Sequence, residues 1–307
     1  MSDLKAYMDY SPEVAAALAE HRPIVALESL IIANPNRPQY SIDRAKRYNE
    51  ILKSKGVTPA TIAILKGRIK IGLSDEEVSY LAHNGASKTT RRDVPAALAM
   101  GLDGATTVTS TMMFADLANI RVFATGGIGG VHRGAQETFD ISTDLQELSR
   151  TSVCVVGSGC KSILDQALTL EVLETMGVPV LGYHTDVFPS FFCIESPYKV
   201  DYRIDDDEVI GKMLQAKKAI GQKGGILLCN PCPKQYALNY NEMEKEINAA
   251  CKAASSQGIH GKALTPFLLD WIENKTEGKS QKANYELIIH NVEVAADIAI
   301  AAAKYIY

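Results

Sequence analysis

Short runs of β-branched and aliphatic residues recur along this 307-residue chain, separated by segments with helical spacing. The runs are PIVALESLII, ATIAIL, RIKIGL, ATTVTS, IRVFATG, SVCVVG, VPVLGY and GILLCN. Several are apolar almost throughout, the pattern of strands covered on both faces. Helix starts are readable between them. Ser11 precedes Pro12, a cap followed by the proline favoured in a first turn. Ser74 with Glu77 spells a capping box, Asn241 with Glu244 approximates one, and Thr265–Pro266 opens a late helix. Strands alternating with helices predict an α/β fold with a largely parallel central sheet covered by helices on both faces. Nothing resembling a repeat, a low-complexity run or a long Pro/Gly/Ser linker divides the chain.

Composition narrows the partners. A formal net charge of -4 and a pI near 5.9 give no bulk attraction to nucleic acid or anionic membranes. The N-terminal MSDLKAYMDYSPEVAAALAE lacks a signal-type apolar core, and no stretch approaches the roughly 18 apolar residues of a membrane span. Six cysteines over this length suggest no disulfide framework; a cytoplasmic setting is expected. Cys229 and Cys232 form a CxxC without a second pair, and prolines on both sides of Cys232 make it a stiff loop with two buried thiols.

Ligands of open α/β sheets gather at the carboxyl ends of strands, and the polar clusters follow strand-like runs. TGGIGGVHRG, Thr125 to Gly134, fails the dinucleotide fingerprint because its third glycine would fall at His132. Its glycines either let backbone approach an anion or make a tight turn with positive φ, and a cation pair, His132 and Arg133, follows. In ETFDISTDLQEL, Asp140 and Asp144 would share a helical face beside Ser142. That set suits a hard divalent cation or, equally, an acidic first turn on the helix dipole. SKTTRRD offers Lys88, Arg91 and Arg92 to a phosphate or to solvent. Glu28, flanked by aliphatics, must be ion-paired or hold a raised pKa suited to proton transfer. Lys161, in VVGSGCKSILD, stands where a Walker loop has its lysine, but Cys160 replaces the required glycine. It reads as a phosphate clamp, a surface charge, or an amine whose pKa is lowered for nucleophilic attack.

The segments VALES, GVTPATIAI, SKTTRRD, TGGIGGVHRGAQETFDISTDLQEL, KSILD, GVPVLGY, FPSFF, GKALTPFLL and KANYEL together resemble the pseudouridine-5'-phosphate glycosidase family, also called indigoidine synthase A-like. The likeness runs from about Ser11 to the C-terminal helix in similar order and spacing. It implies one α/β/α domain over residues 1–307, a homotrimer, and a divalent metal, typically Mn2+. It also implies a small-molecule reaction: reversible cleavage of pseudouridine 5'-phosphate to uracil and ribose 5-phosphate. By resemblance Lys161 is the Schiff-base lysine on ribose C1', Glu28 the proton shuttle and Asp144 the metal-binding carboxylate. Lys88, Thr125, Gly126, Gly127 and Ser142 fall where the family binds the ribose phosphate and hydroxyls. His132 lines the pocket and Asn284 reads the nucleobase.

The chain departs from the family pattern on the aglycone side. ESLIIANPNRPQYS stands where the family reads EST and a histidine–glycine, proline-rich segment, with Leu30 for the threonine. His290–Asn291 replaces a pair of asparagines, and Gly157–Ser158 replaces a cysteine–alanine approach to the lysine. A ribose-phosphate half thus looks preserved and a nucleobase half remodelled. Arg37 in the altered loop would suit an anionic acceptor. Two other readings follow: the same machinery acting on a different carbon-linked aglycone, as a glycosidase or a synthase, and a non-catalytic ribose-phosphate-binding protein. Retention of both Lys161 and Glu28 argues against the last, since binding alone needs neither.

Overall fold

A computed structural model describes residues 4–259 and 264–306. Thirteen strands are present among them: β1 Met8–Tyr10, β2 Ile24–Glu28, β3 Thr58–Leu65, β4 Arg68–Ile71, β5 Ser87–Thr89, β6 Gly104–Thr106, β7 Val122–Ala124, β8 Val131–His132, β9 Cys154–Gly157, β10 Leu164–Asp165, β11 Val180–Tyr183, β12 Tyr202–Ile204 and β13 Ile226–Cys229. The main sheet runs β1-β4-β3-β2-β7-β9-β13-β11-β12. Its pairings are parallel except β3 with β4 and β3 with β6. Every residue of β2, β3, β7, β9 and β13 is buried, as their apolar sequences require.

Register positions the site. β2 stops at Glu28, opposite Ile62, while β3 runs on to Leu65. β4 holds one edge of that extension and β6 the other, beyond the end of β2. The turn leaving Glu28 is pinned to β6: Leu30 N donates to Thr106 O at 3.0 Å, and Thr106 N donates to Ser29 Oγ at 2.8 Å. Glu28 therefore ends on a rigid step at the mouth of the sheet. The carboxyl ends of β7, β9 and β13 follow in spatial order beside it.

Helices cover both faces. Val108–Leu117 packs on β2, β3 and β7, with Thr143–Leu148 against it. Elsewhere the 28-residue helix Lys279–Ile306 crosses β7, β9 and β2 and packs against Pro38–Ser54 and Glu208–Ala219. The Ser11 cap and the Ser74–Glu77 box form as expected. The cap expected at Asn241 is instead Asn239, whose side chain accepts from Glu242 N at 3.1 Å. Thr265 and Pro266 fall in helix Leu264–Lys275, and the residues just before it lie outside those described. ATTVTS is strand only at its start. Thr107 and Ser110 form a capping box and turn the rest into a helix, local hydrogen bonding overriding β-propensity. No described helix is long and apolar enough to cross a membrane.

Candidate active site

Glu28 is 7% exposed, and its Oε1 accepts a 2.6 Å hydrogen bond from Thr125 Oγ1. Burial pushes its carboxyl above the ordinary value. The Thr125 bond and the charges of Lys161 and Lys88 pull it back, while Asp144 adds to the rise. Residues from four separate segments thus act on one carboxyl. The buried ion pair considered from sequence is absent: among the described residues Glu28 has no salt-bridge partner. Its neighbour is a hydroxyl.

Beyond β7 and β9 the two following loops stay side by side. Ile128 N donates to Gly159 O, and Lys161 N donates to Ile128 O, each at 3.0 Å. Gly159 adopts φ +73, and a Cβ there would lie 2.2 Å from Pro189 O, so no other residue fits. Lys161 leaves this ladder half-buried, next to the wholly buried Cys160.

The glycines of TGGIGG serve close approach; none of these four has positive φ. A Cβ on Gly127 would meet the Phe191 ring at 2.8 Å, and one on Gly126 would meet Ile288 at 3.0 Å. A Cβ on Gly129 would strike Ser142 Oγ at 2.3 Å and Asp144 Oδ2 at 2.8 Å. Part of the expected amide cradle is spent internally. Gly129 N donates to Asp144 Oδ2 at 2.7 Å and Val131 N to Thr169 Oγ1 at 2.9 Å.

Asp144 is 6% exposed in the first turn of Thr143–Leu148, capped by Ser142. It also faces the first turn of Val108–Leu117. Its Oδ1 accepts from Thr109 N at 3.0 Å and from Thr109 Oγ1. Asp140 precedes the helix, so the two aspartates share no helical face. Asp140 instead acts on His132, whose N donates to Asp140 O at 3.0 Å. His132 pairs with Leu164 in the small β8–β10 ladder. Burial, then the charges of Lys161 and Lys88, lower its pKa against the opposing pull of Asp140. Neutral imidazole is favoured.

With two donors on Oδ1 and one on Oδ2, Asp144 retains one acceptor site. No cluster of three His, Cys, Asp or Glu able to cage an ion occurs among the described residues. That donor set fits an ion of the Mg2+ or Mn2+ kind, which keeps most of its water and takes one carboxylate.

The cationic segment divides. Lys88 is exposed on β5 and bears on both Glu28 and His132. Arg91 forms a bidentate pair at 2.5 Å with Glu147, itself 1% exposed, bracing the helix that carries Asp144. Arg92 is exposed beside Asp93. Arg133, in the turn after β8, grips Glu244 at 2.6 Å.

Asn284 lies half-buried on helix Lys279–Ile306, one turn before Ile288, which touches Gly126. Asn291 proves structural. It is fully buried, and its Nδ2 donates to Thr125 O at 2.8 Å and Gly126 O at 3.3 Å. Its Oδ1 accepts from Asn230 Nδ2 at 3.0 Å, and Ser158 Oγ lies 3.2 Å from its Nδ2. One side chain ties the ends of β7, β9 and β13. Cys229 and Cys232 are buried free thiols, the latter pushed up to about 12 by burial. Sequence reading missed Thr109, hidden in a strand-like run, and the aromatic–arginine group of Tyr40, Arg44, Tyr48 and Tyr285.

The sequence matches the family described as indigoidine synthase A like protein over residues 13–301. The chain belongs to this family. A pseudouridine-5'-phosphate glycosidase of Clostridium botulinum is 51% identical over 98% of the chain and 99% of the relative. One from Caldanaerobacter subterraneus is 52% identical over 96% of each. Among solved structures, the prealnumycin C-glycosynthase AlnA in complex with ribulose 5-phosphate superposes with TM-score 0.91 at 38% identity, covering 97% of each chain. An indigoidine synthase A-like protein of Thermotoga maritima gives TM-score 0.85 at 34% identity over 96% of each.

Proposed function

We propose that the chain makes and breaks the C–C glycosidic bond of pseudouridine 5'-phosphate, exchanging it with uracil and ribose 5-phosphate through an imine on Lys161. The convergence of Thr125, Lys161, Asp144 and Lys88 on the buried Glu28 carries this reading. The curated relatives and the sugar-phosphate complex of the structural neighbour support it.

A C-glycoside has no heteroatom leaving group at the base, so electrons must find another sink. The free Lys161 amine attacks C1' as the C1'–O4' bond breaks; Glu28 protonates O4' and regains a proton from the new ammonium, leaving a neutral secondary amine. The nitrogen lone pair then forms the C1'=N bond while the C1'–C bond breaks toward the base carbon, which takes its proton from Glu28. Water adds to the iminium, releasing ribose 5-phosphate and restoring the amine. A raised pKa suits Glu28 to hold that proton near neutrality. Thr125 fixes the carboxyl's orientation. Lys88 supplies positive charge for the phosphate, with His132 and Ser142 beside the sugar and Asn284 on the base. Asp144 would hold a divalent ion, proposed as Mn2+, whose charge would offset that of the sugar phosphate's oxygens. The assembly is proposed as a homotrimer acting in the cytoplasm on a small molecule.

Borohydride reduction with ribose 5-phosphate is expected to leave a ribosyl phosphate adduct on Lys161. Pseudouridine 5'-phosphate with Mn2+ should release uracil. Lys161→Ala should abolish the adduct and lower turnover by at least about 10³-fold, with ribose-phosphate binding weakened only modestly. Substantial turnover by that variant would rule out the imine.

A further inference from the structure

The helix that follows the altered loop after Glu28 carries a second cation, buried rather than exposed. Arg37 is exposed at the start of helix Pro38–Ser54, but Arg44, two turns on, is 8% exposed. A buried guanidinium is ordinarily met by a carboxylate. Arg44 has none among the described residues. Its Nη2 donates to Tyr40 Oη at 2.7 Å, its Nη1 reaches Ile31 O only at 3.5 Å, and its Nε has no partner. Five N–H groups therefore share two acceptors. Its Cζ lies 4.7 Å from the Tyr40 ring centre and 5.7 Å from that of Tyr285, contacts that offset charge without giving Nε an acceptor.

A second unpartnered donor stands one turn further along the same helix face. Tyr48 is 1% exposed, and its Oη is also without a partner. Burial raises its pKa, so it remains a hydroxyl donor, and the charge of Glu28 adds to that rise. Tyr48 lies near enough to Glu28 to feel its charge, and Arg44 faces the turn that leaves Glu28. Ile31 belongs to the turn leaving Glu28, and Tyr285 neighbours Asn284.

We infer that Arg44 and Tyr48 form the oxygen-binding edge of the aglycone subsite, and that Arg44 selects aglycones bearing an anionic oxygen conjugated to the reacting carbon. The inference rests on the reaction proposed above. There the base carbon must act as a nucleophile in the synthetic direction. A carbon acid ionised to its enolate puts charge on a ring oxygen while making that carbon nucleophilic. A buried cation with a vacant N–H is the complement of such an oxygen. Uracil, neutral near pH 7, would use the subsite only as a hydrogen-bond acceptor.

Equilibrium dialysis against the full-length chain, with Mn2+ and inorganic phosphate present in place of the sugar phosphate, tests this without turnover. The probes are barbiturate, an anionic ring with a nucleophilic carbon, and uracil, its neutral counterpart. Barbiturate is expected to bind at least about tenfold more tightly. Arg44→Leu should weaken barbiturate roughly 10- to 100-fold while changing uracil by less than about threefold. Arg44→Lys should recover part of the preference, and Tyr48→Phe should weaken both ligands. Borohydride trapping of ribose 5-phosphate on Lys161 should be unchanged in Arg44→Leu, showing an intact sugar half. Equal binding of the two probes by the parent, or a preference that survives Arg44→Leu, would overturn the inference. So would a change in assembly size with ligand binding unaltered, which would assign Arg44 to a subunit contact. Failure of the parent to trap ribose would count against the imine and leave the Arg44 comparison readable.

Discussion

At the scale of single residues, the site is organised by what Glu28 lacks. A carboxylate enclosed by the strands of a sheet would ordinarily be paired with a cation, but here its bonded neighbour is the Thr125 hydroxyl, and lysines act only through their fields. The result is an acid that keeps its proton to higher pH than an ordinary carboxylate. In the proposed mechanism cleavage requires that proton, so the rate should fall as pH rises through the Glu28 pKa. Thr125→Val removes a bond that favours the ionised form and so raises that pKa further. The descending limb of the kcat/KM–pH profile should move to higher pH in this variant. A limb that stays fixed or moves lower would mean that another group sets it. Glu28 and Lys161 could be singled out in sequence because each is chemically conspicuous, a charge among aliphatics or after a run of small residues, whereas Asp144 read equally as an ion ligand or an acidic first turn. Thr109 could not be singled out, since a threonine in ATTVTS carries no sign that its amide and hydroxyl will hold a catalytic-site carboxylate.

At the scale of elements, the strand-like runs and the Ser11 and Ser74 caps were legible because they depend on residues within a few positions of each other. ATTVTS was misread for a related reason. Its β-branched composition points to strand, but the Thr107–Ser110 box decides in favour of helix. Asn291 lay beyond such reading because its partners are 61 to 166 positions away. In sequence it looked like half of an altered base-reading pair; in the fold it fastens three strand ends together. Replacing it with leucine keeps the volume but strands the carbonyls of Thr125 and Gly126 and the amide of Asn230. Asn291→Leu is expected to lose about 2–4 kcal/mol of stability, seen as a lower midpoint in urea unfolding. Turnover per folded molecule should fall as well, because Thr125 and Ser158 would shift. A variant that unfolds like the parent would show those carbonyls finding other partners.

At the scale of the whole molecule, the mostly parallel sheet was foreseeable from alternation, whereas its order was not. Nothing in the runs indicates that β2 lies between β3 and β7, or that β6 continues the β3 edge past Glu28. Those pairings arise from long-range packing, and the long helix Lys279–Ile306 takes part in it. Near its start this helix carries Asn284 and Tyr285, and one turn later Ile288 packs on Gly126. Near its end Tyr305 Oη donates to Glu208 at 2.7 Å and Lys304 to the same carboxylate at 2.9 Å. The two ends are separated by about 30 Å, at 1.5 Å per residue. Gly211 allows the distal contact: a Cβ there would lie 2.6 Å from the Tyr305 ring and 3.1 Å from Ala302 Cα. Gly211→Val should therefore force the two helices apart and cost about 1–3 kcal/mol by overpacking. If the helix serves the site only as a fixed support, the KM for pseudouridine 5'-phosphate and the Lys161 adduct yield should match the parent at temperatures below unfolding. A melting temperature lowered with KM unchanged is the expected pair of results. A raised KM at full folding would show that strain at the distal end reaches Asn284, giving the helix a part in substrate binding along its whole length.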